Sequence, residues 1–158
     1  MKRIICASVI IFSFLNFSGC SKSSSGGASA SFTILSSAKW QLVSDTAVRN
    51  VPGGGTQTVD VFAGLAPCVT DNYLLFNSDG TFTTDEGATK CNSSDPQTKL
   101  TGIWLLSSSD VVLQMPDPVS GLVVTGNIVQ LDDNTLKFQF SSDIGVQAVN
   151  TEVFKHIK

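Results

Sequence analysis

The sequence predicts an all-β domain, folded as a single antiparallel up-and-down β-barrel of about eight strands. From Phe32 onward, apolar and polar residues alternate over short segments, as is typical of strands with one buried face. Clusters of Gly, Asp, Asn and Ser separate these segments, and no stretch shows the helical period of about 3.6 residues. Short connections favour pairing between successive strands, and closure into a barrel would remove the edges of an open meander. A two-sheet β-sandwich is the alternative.

Eight or nine strands can be placed in order along the chain. In the first strand, Trp40 and Leu42 share one face, while Gln41 and Asp45 share the other. Later strands are predicted at residues 59–63, 73–77, 81–85, 100–106, 111–115, 121–132, 136–141 and 146–157. In two of them the alternation is clear, with one face formed by Leu100, Gly102, Trp104 and Leu106 and another by Leu136, Phe138 and Phe140.

The turn at residues 77–80 predicts the register of a hairpin. A two-residue turn at Asp79 and Gly80 would pair Phe76 with Thr83, whereas a three-residue loop with Gly80 in the left-handed conformation would pair Phe76 with Phe82. We prefer the three-residue loop because it places most of the large apolar side chains of both arms on one face. That face consists of Leu74, Phe76, Phe82 and Thr84.

The N-terminal segment looks like a bacterial lipoprotein signal. It has two basic residues, an apolar run and two small residues before a cysteine, namely Lys2, Arg3, residues 4–17, Ser18, Gly19 and Cys20. The run of about 14 residues is shorter than the roughly 20 that span a bilayer. The resemblance implies that residues 1–19 are removed and that Cys20 carries acyl chains such as palmitate. An ordinary secretory signal with a chance cysteine is the alternative.

Residues 20–31 are predicted to form a lipidated cysteine and a flexible Ser/Gly tether that spans on the order of 20 Å. The barrel domain would then occupy residues 32–158. Ser21 gives no inner-membrane retention cue of the Asp type, and the tether lacks an acidic run that would suggest surface display. We therefore expect lipid anchoring in the outer membrane of a Gram-negative cell, with the domain facing the periplasm.

Composition limits the partners of the mature chain. Removal of Lys2 and Arg3 leaves eight basic residues against thirteen acidic ones, so that the net charge moves from −3 to near −5. A modestly acidic chain without a basic cluster argues against nucleic acid as a partner. Membrane contact through the lipid on Cys20 is the expected attachment.

The four cysteines are predicted to have three different roles. Cys6 leaves with the signal and Cys20 is lipidated, so that Cys68 and Cys91 remain as a pair in an oxidising compartment. We predict a disulfide between them. A redox pair or half a metal site has no support, because Cys-x-x-Cys is absent from the sequence and His156 is its only histidine.

Several motifs carry a resemblance to a known family. They lie at residues 38–42, 72–82, 85–87 and 102–104, together with Cys91, and they resemble the lipocalin-like domains of bacterial lipoproteins over most of residues 36–157. The resemblance implies a small antiparallel barrel with an apolar pocket. As candidate ligand-binding side chains we name Trp40, Phe76, Phe82, Trp104, Phe138 and Phe140. Of the two interpretations we favour the one in which these rings fill the core, and contact with a ligand is the alternative.

The sequence favours binding over catalysis. Asp85 and Glu86 are adjacent and would point to opposite faces of a strand, and His156 lies two residues from the C-terminus. We expect no catalytic residues, no metal and no cofactor. The predicted function is a membrane-anchored lipocalin-like lipoprotein that holds a small apolar ligand. The alternative is a solid barrel that contacts another envelope protein through the loops at residues 48–57 and 117–122.

Overall fold

The structure is a computed structural model that describes residues 28–107, 109–143 and 147–157. The described residues do not include the predicted signal peptide, Cys20 or the predicted tether as far as residue 27. Val146, at the start of the predicted last strand, also lies outside them.

Antiparallel strands dominate the described chain, which confirms the all-β prediction. The described residues include two short helices, α1 (Ala30–Ser36) and α2 (Pro67–Thr70), and a 3-10 turn at Phe62–Gly64. The strands are β1 (Lys39–Asn50), β2 (Thr56–Asp60), β3 (Tyr73–Phe76), β4 (Thr81–Asp85), β5 (Thr98–Ile103), β6 (Leu105–Leu106), β7 (Val112–Pro116), β8 (Val123–Leu131), β9 (Thr135–Asp143) and β10 (Gln147–Ile157).

The strands form one up-and-down sheet, in the order β5-β4-β3-β1-β10-β9-β8-β7-β6, with β2 paired to β1. The first and last strands of the chain are therefore neighbours, as in a barrel. The sheet is nevertheless not closed, and the prediction of a closed barrel was wrong in this respect. Its two terminal strands, β5 and β6, are successive parts of one stretch interrupted at Trp104, whose backbone N–H donates to the Gly80 carbonyl (2.9 Å) in the register of the β4–β5 pairing. The stretch pairs with β4 through its first part and with β7 through its second.

The predicted three-residue hairpin loop is confirmed. Phe76 pairs with Phe82, and the Asn77 N–H donates to the Thr81 carbonyl at 2.9 Å. Gly80 has a φ of 85°, the left-handed conformation that favours glycine at this position. Leu74, Phe76 and Phe82 are buried together, as the register requires.

Two bulges change the face on which predicted residues lie. In β1, Val43 is an extra residue between the pairs Leu42–Phe154 and Ser44–Val153, so Asp45 turns inward and is buried. The prediction that Asp45 shares the outer face with Gln41 was therefore wrong. Between β4 and β5 a second register shift places Leu100 opposite Thr83 on the outside.

Leu100 was predicted to share the inner face with Trp104, but it is 66% exposed. Thr101 is the extra residue of this second bulge, and its hydroxyl donates to the Phe82 carbonyl at 3.1 Å. A bulge adds one residue to one strand, and alternation alone gives no sign of where that residue falls.

Helix α1 covers one end of the curved sheet. The Ser29 hydroxyl caps it by accepting from the Phe32 N–H at 3.0 Å, and the Phe32 ring stacks on Trp104 with centroids 4.9 Å apart. The Trp40 indole N–H donates to the Leu35 carbonyl at 3.0 Å, and Leu35 is fully buried. The helix begins at Ala30, within the predicted tether, and no helix was predicted here. It closes the end of the sheet at which β1 begins.

The predicted disulfide between Cys68 and Cys91 is confirmed. It joins α2 to the segment that follows β4, and so ties together the two chain ends of the β3–β4 hairpin. The same region is held by Asp71, whose carboxylate accepts from the backbone N–H and the hydroxyl of Thr89 at 2.8 and 2.7 Å.

Candidate functional site

All six aromatic side chains proposed as ligand contacts lie in the hydrophobic core. Trp40, Phe76, Phe82, Trp104, Phe138 and Phe140 are all buried in one cluster with Leu35, Leu42, Leu74, Leu113, Met115, Leu136 and Phe154. Phe76 meets Phe82 and Trp104 edge to face, with ring centroids 5.0 and 5.3 Å apart. The Trp104 indole N–H donates to the Asn77 carbonyl at 2.9 Å, as a buried indole requires. The observed contacts of these rings are therefore with one another and with the rest of the core.

Phe140 differs from the other five, because it also borders a cavity of about 360 Å³. The cavity lies between the second half of β1, β2, the first part of β10 and the segment that joins β7 to β8. Its walls are mostly apolar and are formed by Ala47, Val59, Val61, Val119, Leu122, Val124, Phe140 and Ala148. The polar lining residues are Asp45, Arg49, Asp117, Ser120, Ser142 and Asn150. A ligand role for the six aromatic residues stays a prediction, and Phe140 is the one placed at this cavity.

Pairing between β1 and β10 gives the cavity a floor and a mouth. Asp45 pairs with Glu152, Ala47 with Asn150, and Arg49 with Ala148. Asp45 and Glu152 are buried, whereas Arg49 and Ala148 are partly exposed. The floor therefore lies at the Asp45–Glu152 pair and the mouth near Arg49. Since β1 starts beside α1 and runs toward Arg49, the mouth faces away from the end that α1 covers.

Two carboxyl groups oppose each other at the floor. Glu152 is 0% exposed and Asp45 is 5% exposed. Among the described residues, neither oxygen of Glu152 has a hydrogen-bond partner, and Oδ1 of Asp45 also lacks one. A buried carboxyl group without partners is costly, and two such charges placed opposite each other repel.

Burial sets the protonation of this pair. It is the main cause that raises the pKa of Glu152 to about 9, and the nearby carboxylates of Asp117 and Asp45 raise it further. Burial likewise raises the pKa of Asp45 to about 6, with added repulsion from Asp117 and Asp60. At neutral pH the floor therefore holds a neutral Glu152 beside an ionised Asp45.

Asp117 reaches the same cavity from the segment after β7. Its carboxylate accepts from the backbone N–H groups of Val119 and Ser120 at 2.7 and 3.2 Å and from the Ser120 hydroxyl at 3.0 Å. These bonds fix Asp117 within its own loop, in contrast to Asp45. On the opposite wall, Nε of Arg49 is buried without a partner in the described chain.

This polar floor was not predicted from the sequence. Asp45 was placed on the wrong face because of the bulge at Val43. Glu152 could have been found, since Phe154 and Glu152 are two apart on one strand and must share a face. Asp117 lies in the loop at residues 117–122 that was named for partner contact, and it faces the cavity as well.

Other cavities are smaller or more polar. One of about 320 Å³ lies where the sheet is open, between β4, β5 and the 116–121 segment, with Phe82, Glu86 and Lys99 in its lining. A void of about 10 Å³ beside Leu42 and Leu74 is too small for a ligand. In the part of the chain that the structure describes, no group of three or more His, Cys, Asp or Glu residues is placed to hold a metal ion. The described helices are also too short to cross a bilayer.

An antiparallel sheet curled around an aromatic core, with a ligand-sized cavity at the end away from α1, has the architecture of the ligand-binding β-barrel class, although here the sheet stays open. The chain belongs to the lipocalin-like domain family, since the model of that family matches residues 37–138. This family consists generally of non-catalytic binding proteins. The match includes Asp45 and Asp117 and ends before Glu152. No curated protein matches the chain.

Proposed function

We propose that this domain holds a small, mostly apolar molecule in the cavity beside Phe140 and acts without catalysis. The observation that carries the proposal is the cavity itself, whose volume of about 360 Å³ lies within the range of small-molecule sites, roughly 300 to 1,000 Å³. Its walls are aliphatic and aromatic, and its polar groups are few and concentrated at the floor. Membership of a family that is generally non-catalytic supports the binding role.

An apolar environment-sensitive dye tests this proposal. Titration into residues 20–158 carrying Cys20→Ser should give saturable fluorescence. Ala148 lies at the mouth with its side chain toward the cavity, so Ala148→Phe should fill the entrance and weaken binding at least tenfold. Its neighbour Val149 is exposed on the other face of β10, and Val149→Phe is the matched control that should leave binding unchanged. Absence of saturable binding, or equal loss in both variants, would refute the proposal.

We further propose that the protein is lipidated on Cys20 after removal of residues 1–19 and is held at the outer membrane of a Gram-negative cell, facing the periplasm. The basic start, the apolar run and the small residues before Cys20 support this. Metabolic labelling with an alkyne palmitate analogue should label the wild-type protein and not Cys20→Ser. Equal labelling of both proteins would refute lipidation at this cysteine, and a protein recovered without membrane would refute the anchor.

A second candidate function is contact with another envelope protein through the loop at residues 117–122. Leu122 and Val123 support it, because each is 64% exposed beside the mouth of the cavity. A photo-crosslinker at Leu122 should then capture a defined envelope protein in cells, whereas one at Leu105, exposed on β6, should not. Identical capture at both positions would indicate non-specific contact and refute this role.

A further inference from the structure

Two buried carboxyl groups lie at the floor of the cavity and have no basic partner in the described chain. Asp45 and Glu152 face each other across β1 and β10, and three of their four oxygens lack a hydrogen-bond partner in the described residues. Neither acid forms a salt bridge there, since the ion pair found in the described chain, Lys39–Asp85, lies at the start of β1. Native proteins rarely leave such buried acceptors without a donor.

Asp45 is the member of the pair that a ligand can reach. Asp45 lines the cavity and is 5% exposed, whereas Glu152 is 0% exposed and is not among the lining residues. Asp117 also lines the cavity, and although its carboxylate is tied to its own loop, its negative charge remains. Two carboxylates therefore border the inner part of the cavity, with Glu152 immediately beside them.

The cation that could offset these charges within the cavity lining is Arg49. It lies four residue pairs along the β1–β10 ladder nearer to the mouth, opposite Ala148 rather than opposite Glu152. No salt bridge joins Arg49 to Asp45 or Asp117 in the described chain. The cavity is thus negative at its floor, positive at its rim and apolar along the walls between, which include Val61, Val124 and Phe140.

We propose that the cavity takes a small amphipathic amine, with its ammonium group against Asp45 at the floor and its apolar chain along the walls toward the mouth. This inference rests on the proposed binding function and deepens it. An ammonium group donates up to three hydrogen bonds, so it can bond the Asp45 carboxylate and a neighbouring acceptor at once. A carboxylate ligand would have to pass Arg49 and then meet Asp45 and Asp117, which would repel it.

The pH dependence of amine binding follows from the groups that face Asp45. These are Glu152 on β10, Asp117 on the β7–β8 segment, Asp60 on β2 and Arg49 on β1 itself. Amine binding should strengthen as pH rises from 5 to 7, because Asp45, with its pKa raised to about 6, becomes ionised in that range. Binding of a neutral alcohol should not show this rise.

Three probes with the same chain and different head groups test the proposal, namely octylamine, octanol and octanoate. Calorimetric titration at pH 7 into residues 20–158 carrying Cys20→Ser should give at least tenfold tighter binding of octylamine than of octanol, which corresponds to about 1.4 kcal/mol. Octanoate should bind most weakly. Asp45→Asn should remove the preference for the amine while leaving octanol binding in place. Asp143→Asn, which removes an exposed carboxylate from β9, is the control that should keep the preference.

The outcomes separate this inference from the function on which it rests. If octanol and octylamine bind equally, or if octanoate binds best, the amine inference is overturned and the apolar binding function stands. If Asp45→Asn retains the full preference in a folded protein, the assignment to Asp45 is overturned. If none of the probes nor the dye binds the wild-type protein, the binding function itself fails. The head-group series on the wild-type protein needs no variant, so it decides the inference even if Asp45→Asn fails to fold.

Discussion

Replacing Glu152 by glutamine should remove a large pH dependence of folding stability. In the folded protein the pKa of Glu152 is raised to about 9, mainly by burial, whereas the ordinary value is 4.5. Between these two values the folded state keeps a proton that the unfolded state has released. Stability is therefore full below about pH 4.5 and falls as pH rises toward 9, by at most about 1.4 kcal/mol per pH unit for one proton. Glutamine has nearly the shape of the neutral acid and does not titrate.

Asp45, the second buried acid, determines the pH range in which the effect of Glu152 can be measured separately. The pKa of Asp45 is raised to about 6, so its own contribution is lost between about pH 4 and pH 6. From pH 6.5 to 8.5 the remaining difference belongs to Glu152, and the wild-type protein should lose roughly 2 to 3 kcal/mol relative to Glu152→Gln. For a domain whose total stability is about 5 to 15 kcal/mol, this is a readily measured fraction.

Urea denaturation followed by tryptophan fluorescence measures this difference at several pH values. Trp40 and Trp104 are both buried, so unfolding should change their emission. Other titrating groups are common to the two proteins and cancel in the comparison. Asp143→Asn serves as the control for loss of a carboxylate at an exposed site, and it should follow the wild-type curve. Parallel curves for the wild-type protein and Glu152→Gln between pH 6.5 and 8.5 would refute the reasoning, because Glu152 would then be ionised in the folded state.

Two further predictions concern the hairpin that supports the sheet. Replacing Cys68 and Cys91 by serine should lower the free energy of unfolding by about 3 kcal/mol, since the bridge closes a loop with a sequence separation of 23 residues. Urea denaturation in the absence of reductant checks this value, and a loss below about 1 kcal/mol would contradict it. Gly80→Ala should cost about 1 to 2 kcal/mol through backbone strain alone, because Gly80 has a φ of 85° while the added methyl group would come no closer than 4.0 Å to a neighbouring atom. Thermal unfolding checks this cost, and an unchanged midpoint would show that the loop tolerates an L-residue.

The strand content and the hairpin register could be predicted because they depend on local signals. Alternation identified β9, with Leu136, Phe138 and Phe140 facing inward, and the turn residues around Gly80 fixed the pairing of Phe76 with Phe82. The disulfide followed because the two expected fates of Cys6 and Cys20 left one pair. The alternation and the turn signal each lie within a short stretch of sequence, and the disulfide follows from the number of cysteines.

The open sheet and the helix α1 could not be predicted in the same way. Closure depends on how the chain passes at Trp104 from pairing with β4 to pairing with β7, and Trp104 itself bonds to Gly80 in the register of the β4–β5 pairing. Helix α1 has seven residues and owes its position to tertiary contacts, such as the Phe32–Trp104 stack, rather than to an amphipathic period. Both features depend on residues that are distant in sequence.

The polar floor exists because of the single bulge at Val43, which the alternation of apolar and polar residues in β1 does not predict. Without the bulge at Val43, Asp45 would point to solvent and the inner face of β1 would carry its neighbours instead. With it, Asp45 turns inward opposite Glu152 and lines the cavity, and the same shift brings Ala47 and Arg49 inward to form the wall and the rim. The inner face of β1 therefore changes at the bulge from the large apolar side chains of Trp40 and Leu42 to a face that carries the charged residues Asp45 and Arg49. That change divides the interior into a filled aromatic half beside α1 and a hollow half that is bordered by Asp45, Asp117 and Arg49.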